Sequence, residues 1–248
     1  MTYLINITKI KANGMMINVT KCKHIKFSRK KSPGLTQYTL NNEIITTVPD
    51  CKYLGVKLSE NLKWGSHIED ITSKAYKNLH FVMRNLRRSG KGVRERAYKS
   101  LVRPIVEYAT SVWDPHETGL QKKLEGVQRK AARYVNRKYG KDESVSKMLD
   151  ELGWESLSSR RRTFRLAGVY NAWNCKDGWE ELRARFHTPN YRGRGDHSLK
   201  IKEREQKTDV AKYSFINRGI REWNALPGEV LIPMPKNSKV FKSKIKSC

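Results

Sequence analysis

Acidic residues are scarce in this chain of 248 residues: 24 Asp and Glu stand against 51 Lys and Arg, a formal net charge of +27. A field of that sign attracts polyanions and makes their binding strongly salt-dependent. Ribosomal, histone-like and basic membrane-surface proteins share the feature, so it narrows the partner class and not the activity. Cysteine is scarce too. Cys22, Cys51, Cys175 and Cys248 are irregularly spaced, with no C-x-x-C pair and no histidine at zinc-ligand spacing, which excludes a disulfide framework or zinc knuckle and points to a reducing compartment. Long apolar runs are lacking; none approaches the roughly 20 residues of a membrane span. The N-terminus leads from Met1 through Ile5 to Lys9 and Lys11 without a signal-peptide core, so a soluble intracellular protein with no membrane partner is expected.

Catalytic signatures are missing as well. There is no Walker loop, no G-x-S-x-G and no H-E-x-x-H. Two-metal phosphoryl transfer needs carboxylates converging from strand ends. The paired acids here, Glu69-Asp70, Asp142-Glu143, Asp150-Glu151 and Glu180-Glu181, read as exposed helix turns. His24, His67, His80, His116, His187 and His197 show no triad or metal spacing. No catalytic residue, metal site or cofactor is therefore assigned to this chain. What is present, 38% hydrophobic and 9% aromatic residues, suffices for a core in one or two compact units.

Residues 1–65 read as β-rich. Ile25 and Phe27 alternate with His24 and Lys26. Tyr38 and Leu40 precede Asn41-Asn42, with Ile44 and Val48 beyond, a hairpin pattern in which Asn tolerates the positive φ of a tight turn. Leu54, Val56 and Leu58 alternate with Gly55 and Lys57 as a further strand, and Ser28 to Gly34 forms a basic loop. From Ser66 the period becomes helical. Ser66-x-x-Glu69 is a capping box, and Ile68, Ile71, Ala75, Leu79, Val82 and Leu86 form one apolar stripe ended by Gly90 and Gly92. A second helix over 93–108 places Ala97, Leu101, Ile105 and Tyr108 in register, with a kink expected before Pro104. A third opens at Thr118 and buries Leu120, Leu124, Val127, Ala131 and Tyr134. Shorter helices are expected over 145–152, ended by Gly153, and over 157–173. Residues 176–212 thin out in apolar content and read as a basic flexible linker, and a compact helix returns at 213–223. The spacing thus predicts an α+β chain: a small antiparallel β region followed by a mainly helical bundle.

Three strings carry a resemblance. They are Tyr53-Leu54-Gly55-Val56 with Leu62-Lys63-Trp64; Leu101-Val102-Arg103-Pro104 through Glu107-Tyr108-Ala109 to Val112-Trp113; and Ile220-Arg221-Glu222-Trp223-Asn224-Ala225-Leu226-Pro227. Together they resemble the C-terminal half of the reverse transcriptase of non-LTR (LINE-type) retrotransposons, especially the jockey and chicken-repeat clades. The likeness runs from about Asn13-Gly14-Met15, through Asn18 to Lys23, as far as Phe241-Lys242. It implies that residues 1–65 are the end of a palm with primer-grip-like strands, 66–140 a thumb, 141–175 a helical extension, 176–212 the linker and 213–248 a C-terminal segment. The family's Tyr/Phe-Ala-Asp-Asp turn would lie upstream of Met1, so Mg²⁺ is expected only for the intact polymerase and this chain should be inactive alone. The implied partners are an RNA-template/DNA-primer duplex and the upstream polymerase segment; the implied setting is a nuclear or cytoplasmic ribonucleoprotein.

By that resemblance Tyr53, Leu54, Gly55 and Val56 are primer-grip-like, since Gly55 lets a backbone approach primer phosphates. A plain core strand with a Gly bulge is the alternative. Lys63, Lys74, Lys77, Arg84, Arg87, Arg88, Arg103, Arg129, Lys130 and Arg133 are the candidate phosphate contacts, against the alternative of merely solvated helix faces. Most tryptophans read as core anchors and not as base-stacking platforms. A non-catalytic basic adaptor of a ribonucleoprotein, or an unselected remnant of a mobile element, is the competing reading of the whole chain.

Overall fold

The computed structural model describes residues 13–14, 17–27, 37–40, 42–140, 142–190, 193 and 196–246. The basic loop expected at 28–34, most of 191–195 and Cys248 lie outside the described residues. The described chain is α+β, with short strands followed by helices. It divides into two compact units, Met1–His67 and Ile68–Cys248.

In the first unit, strands pair two by two. β1 (Lys23–His24) pairs with β4 (Thr46–Thr47), β2 (Thr39–Leu40) with β3 (Glu43–Ile44), and β5 (Asp50–Tyr53) with β6 (Val56–Ser59). The β1–β4 pair is parallel, which corrects the expectation of an all-antiparallel region. Ile25 and Phe27 lie beyond the end of β1 and form no strand. The Asn41-Asn42 hairpin is present, with Leu40 opposite Glu43 and Asn42 at φ +64°.

The third strand differs from its expected form. Tyr53 pairs directly with Val56, so Leu54 and Gly55 are the two residues of a tight turn and not part of an alternating strand. Both have positive φ, +46° and +84°, as a turn matching strand twist requires. Glycine adopts that geometry freely; leucine pays a steric penalty of roughly 1–2 kcal/mol between Cβ and the following carbonyl.

The second unit is helical. α1 (Gly65–Asn85) begins one residue before Ser66 and buries Ile68, Ala75, Leu79 and Val82, at the spacing its apolar residues announce. Next come α2 (Lys91–Ala97), a π-helical turn at Tyr98–Val102, α3 (Arg103–Glu107) and α4 (Thr110–Trp113). Pro104 sits in the first turn of α3, where its missing N–H matters least, and the wider π turn takes up the break before it. The register shifts accordingly. Tyr98, Val102 and Val106 are buried, while Leu101 and Tyr108, expected inside, are exposed.

α5 (Thr118–Asn136) buries Leu124, Val127, Ala131 and Tyr134 as its spacing predicts. α6 (Val145–Glu151) is capped by the Ser144 side chain and followed by Gly153 at φ +60°; α7 (Leu157–Trp173) is capped by Ser156. After α8 (Glu180–Arg183) come α9 (Asp209–Lys212), α10 (Phe215–Asn224), α11 (Gly228–Leu231) and α12 (Ser238–Lys246). α7, α10 and α12 enclose a core of Leu166, Val169, Tyr170, Ile220, Trp223 and Phe241. The expected linker contributes to it. Phe186 and Ile201 are buried there, Trp223 Nε1 donates to Leu199 O at 2.9 Å, and Asn224 exchanges two hydrogen bonds with the Ile201 backbone. The described residues after α5 belong to the same compact unit as α1–α5. Five tryptophans serve packing: Trp113, Trp154 and Trp223 are buried, and Trp173 and Trp179 line the C-terminal core.

Candidate nucleic-acid interface

Tyr76 sets the geometry of the basic face. Its hydroxyl lies over Gly126, where a Cβ would come within 2.9 Å, so the glycine lets α1 and α5 approach. Lys130 extends over the Tyr76 ring, 5.4 Å from its centroid, and donates to His80 Nε2 at 2.7 Å. Burial pushes the Tyr76 phenol above its ordinary pKa. Lys123 pairs with Glu69 at 2.8 Å, Tyr134 donates to the carbonyls of Val82 and Leu86, and Arg137 reaches Arg87 O at 2.6 Å. Partner numbers rise together along both helices, so α1 and α5 run parallel, side by side.

Away from that seam, Lys74, Lys77, Phe81 and Arg84 recur at spacings of three, four and three, one strip of α1 opposite its buried stripe. Arg87 and Arg88 continue past the helix end. All five cations are exposed, and none has a carboxylate partner within 4 Å among the described residues. Between Ile71 and Arg94 there are seven Lys and Arg and no Asp or Glu. Phe81, 56% exposed, sits inside this strip. Arg129 and Lys130 add exposed charge from α5. At a 1.5 Å rise per residue the strip from Lys74 to Arg84 is about 15 Å long. Such a row of unneutralised cations can pair with successive phosphates while the side-chain stems lie along the helix.

Two candidates do not belong to it. Arg103 is half-buried and shares Glu107 with Arg160, which reaches both carboxylate oxygens, so it is held in an ion cluster and is not free on the strip. Arg133 is half-buried and donates to Gly140 O at 3.1 Å, closing the loop after α5. Lys63 is exposed in the first unit, beside Asn61, which accepts from its N–H. The Tyr53–Val56 stretch forms the hairpin tip there: Tyr53 and Leu54 project outward, Leu54 73% exposed, and Val56 is buried. The alternating-strand form of that site is therefore replaced by a strained exposed turn.

The sequence reading missed a buried ionic network. Asp114, directly after α4, accepts from Arg161 at 2.7 Å, from Arg165 and from Arg218 at 3.2 Å; Arg165 also pairs with Glu222. Desolvation, reinforced by Arg165, lowers the Arg218 pKa to about 10, and desolvation lowers that of Arg161. The signal was the four-residue spacing of Arg161/Arg165 and Arg218/Glu222 on otherwise apolar faces. Its meaning depends on Asp114, 104 positions from Arg218.

Among the described residues no group of three or more His, Cys, Asp or Glu side chains is arranged to hold a metal ion. No helix among them is long and apolar enough to cross a membrane. No protein-family model, curated protein or solved structure matches the chain.

Proposed function

We propose that this chain is a nucleic-acid-binding C-terminal portion of a non-LTR retrotransposon reverse transcriptase, with α1 and α5 forming a thumb-like face that follows a template–primer duplex. The observation carrying the reading is the strip of Lys74, Lys77 and Arg84, exposed, without a carboxylate within 4 Å among the described residues and set on a helix that packs against α5, in a chain of net charge +27. The hairpin tip at Leu54-Gly55 supports the primer-grip part, because a strained, outward-pointing turn is costly to keep without a use. The chain's own residues bind and position the duplex. Phosphoryl transfer is no part of the proposal for these residues.

Charge alone gives affinity for any polyanion at low salt, so the test reads slope and preference. Each phosphate contact on duplex contributes about −0.9 to the slope of log affinity against log salt. Replacing Lys74, Lys77 and Arg84 by Ala should flatten the duplex slope by about 2.7, which between about 50 and 200 mM salt corresponds to roughly 40-fold. The wild type should also prefer a recessed primer–template over its single strands. An unchanged slope with an unchanged preference refutes the thumb-like face and favours a generic basic adaptor.

A further inference from the structure

A second basic feature lies far along the chain from the α1–α5 strip. A cleft of about 530 Å³ opens between the extended segment 202–206 on one side and α9–α10 on the other. Five cations line it, Arg185, Lys202, Arg204, Lys212 and Arg221, against two carboxylates, Glu203 and Glu205. None of the five cations has a carboxylate within 4 Å among the described residues, and one of the two acids is occupied, Glu203 accepting from Asn224. The positive charge in the cleft is in excess of its acids, although Lys212 and Arg221 lie over the Tyr213 ring and Lys202 meets Asn190 Oδ1 at 3.5 Å.

The walls are held in place. Asn224 clamps Ile201 by two backbone hydrogen bonds, the Lys202 N–H donates to His187 O at 2.7 Å, and Arg221 reaches back to Lys212 O at 2.6 Å. Thr208 caps α9 and Ser214 caps α10, fixing the opposite wall. Between the cations, Ile216 and Ile220 supply an apolar floor. A positive rim around a small apolar floor suits a phosphodiester whose sugar or base face lies flat below it.

The apolar floor selects the ligand: an unpaired strand can lay a base or sugar on Ile216 and Ile220 while its phosphates meet the cations, whereas a duplex keeps its bases stacked inside. We propose that this cleft is a second nucleic-acid site that takes single strand, its five cations pairing with the backbone of a short unpaired stretch. The polymer rests on the nucleic-acid reading above; the location and the strandedness do not.

The experiment uses the full chain, a labelled oligo(dT) and a labelled hairpin duplex, with anisotropy followed across a salt series. The variant Arg185→Ala/Lys202→Ala/Arg204→Ala removes three exposed cations. At about −0.7 per contact for single strands, the oligo(dT) slope should flatten by about 2, roughly 20-fold between about 50 and 200 mM salt, with the duplex slope unchanged. Lys74→Ala/Lys77→Ala/Arg84→Ala should do the reverse, so failure of one site is distinguishable from failure of the other. Lys202→Gln/Arg204→Gln, with a thermal midpoint equal to wild type, covers the case in which the triple variant fails to fold and should flatten the slope by about 1.4. An oligo(dT) slope unmoved by the cleft substitutions, or moved equally with the duplex slope, overturns the proposal. So does a cleft that binds inorganic pyrophosphate or dTMP while oligo(dT) binding stays indifferent to the substitutions, which would make it a free-anion site.

Discussion

Asp114→Asn tests what holds the C-terminal helices to the rest of the second unit. The Asp114 side chain is 8% exposed and Arg161 2% exposed; with Arg165, Arg218 and Glu222 they form a cluster of three guanidiniums and two carboxylates. One positive charge is therefore already in excess, and both terminal nitrogens of Arg161 lack hydrogen-bond partners among the described residues. Replacing the carboxylate by an amide of the same shape raises the excess to two. Breaking a buried pair by removing one partner costs about 3–5 kcal/mol. Asn keeps one acceptor, so the lower end, about 3 kcal/mol, applies. For a unit of this size that lowers the melting midpoint by about 6–12 °C. Urea unfolding followed by tryptophan fluorescence reads it, Trp113 being the adjacent buried reporter. The m-value should stay constant, and Arg218→Met in the Asp114→Asn background should recover part of the loss by relieving the excess charge. Glu69→Gln, breaking the exposed pair with Lys123, is the control and should cost well under about 1 kcal/mol. A loss for Asp114→Asn no larger than that control would refute the view that the network is desolvated.

Two further outcomes are expected. Leu54→Asn keeps the turn but replaces a strained leucine with a residue that tolerates positive φ, so unfolding of residues 1–67 should become harder by about 1 kcal/mol; hydrogen exchange of the β5–β6 amides measures it, and a destabilisation would show that Leu54 packing outweighs its strain. The second concerns pH. His197 is buried and its pKa is lowered, first by desolvation, with Nε2 donating to Trp223 O at 3.2 Å. Below about pH 6.5 the unfolded chain takes up a proton that the folded one resists, so this group's contribution to stability is present above that pH and lost as pH falls. The urea midpoint should drop between pH 7.5 and pH 5.5, and His197→Gln should reduce the drop; an identical pH dependence in the variant would exclude His197 as its source.

Long helices with uninterrupted periods were legible residue by residue. The apolar stripes of α1 and α5, the start and end of α7 at Leu157 and Trp173, and Gly153 after α6 all follow from spacing and capping chemistry, because each depends on neighbours within a turn or two. The exposed cations of α1 follow too, as the complement of a buried stripe. Phe81 was passed over because a single apolar residue outside a stripe carries no periodic signal.

Elsewhere local reading failed for physical reasons. Periodicity assumes about 100° per residue, and the π turn at Tyr98–Val102 breaks that assumption, so burial moves from Leu101 and Tyr108 to Tyr98, Val102 and Val106. The polar composition of 176–212 reads as a linker, yet Phe186 and Ile201 are drawn into a core by partners on α10 more than twenty positions away. The basic cleft exists only once that segment folds back. Sequence by itself determined charge and, for the long uninterrupted helices α1 and α5, their position and inward face, since these are set by short-range periodicity and composition. Only the tertiary structure decided which cations remain free: Arg103, Arg161 and Arg165 are held by carboxylates brought from 4 to 57 positions away, whereas Lys74, Lys77 and Arg84 meet none among the described residues. A charge's availability is a property of its neighbours in space, and those are chosen by packing.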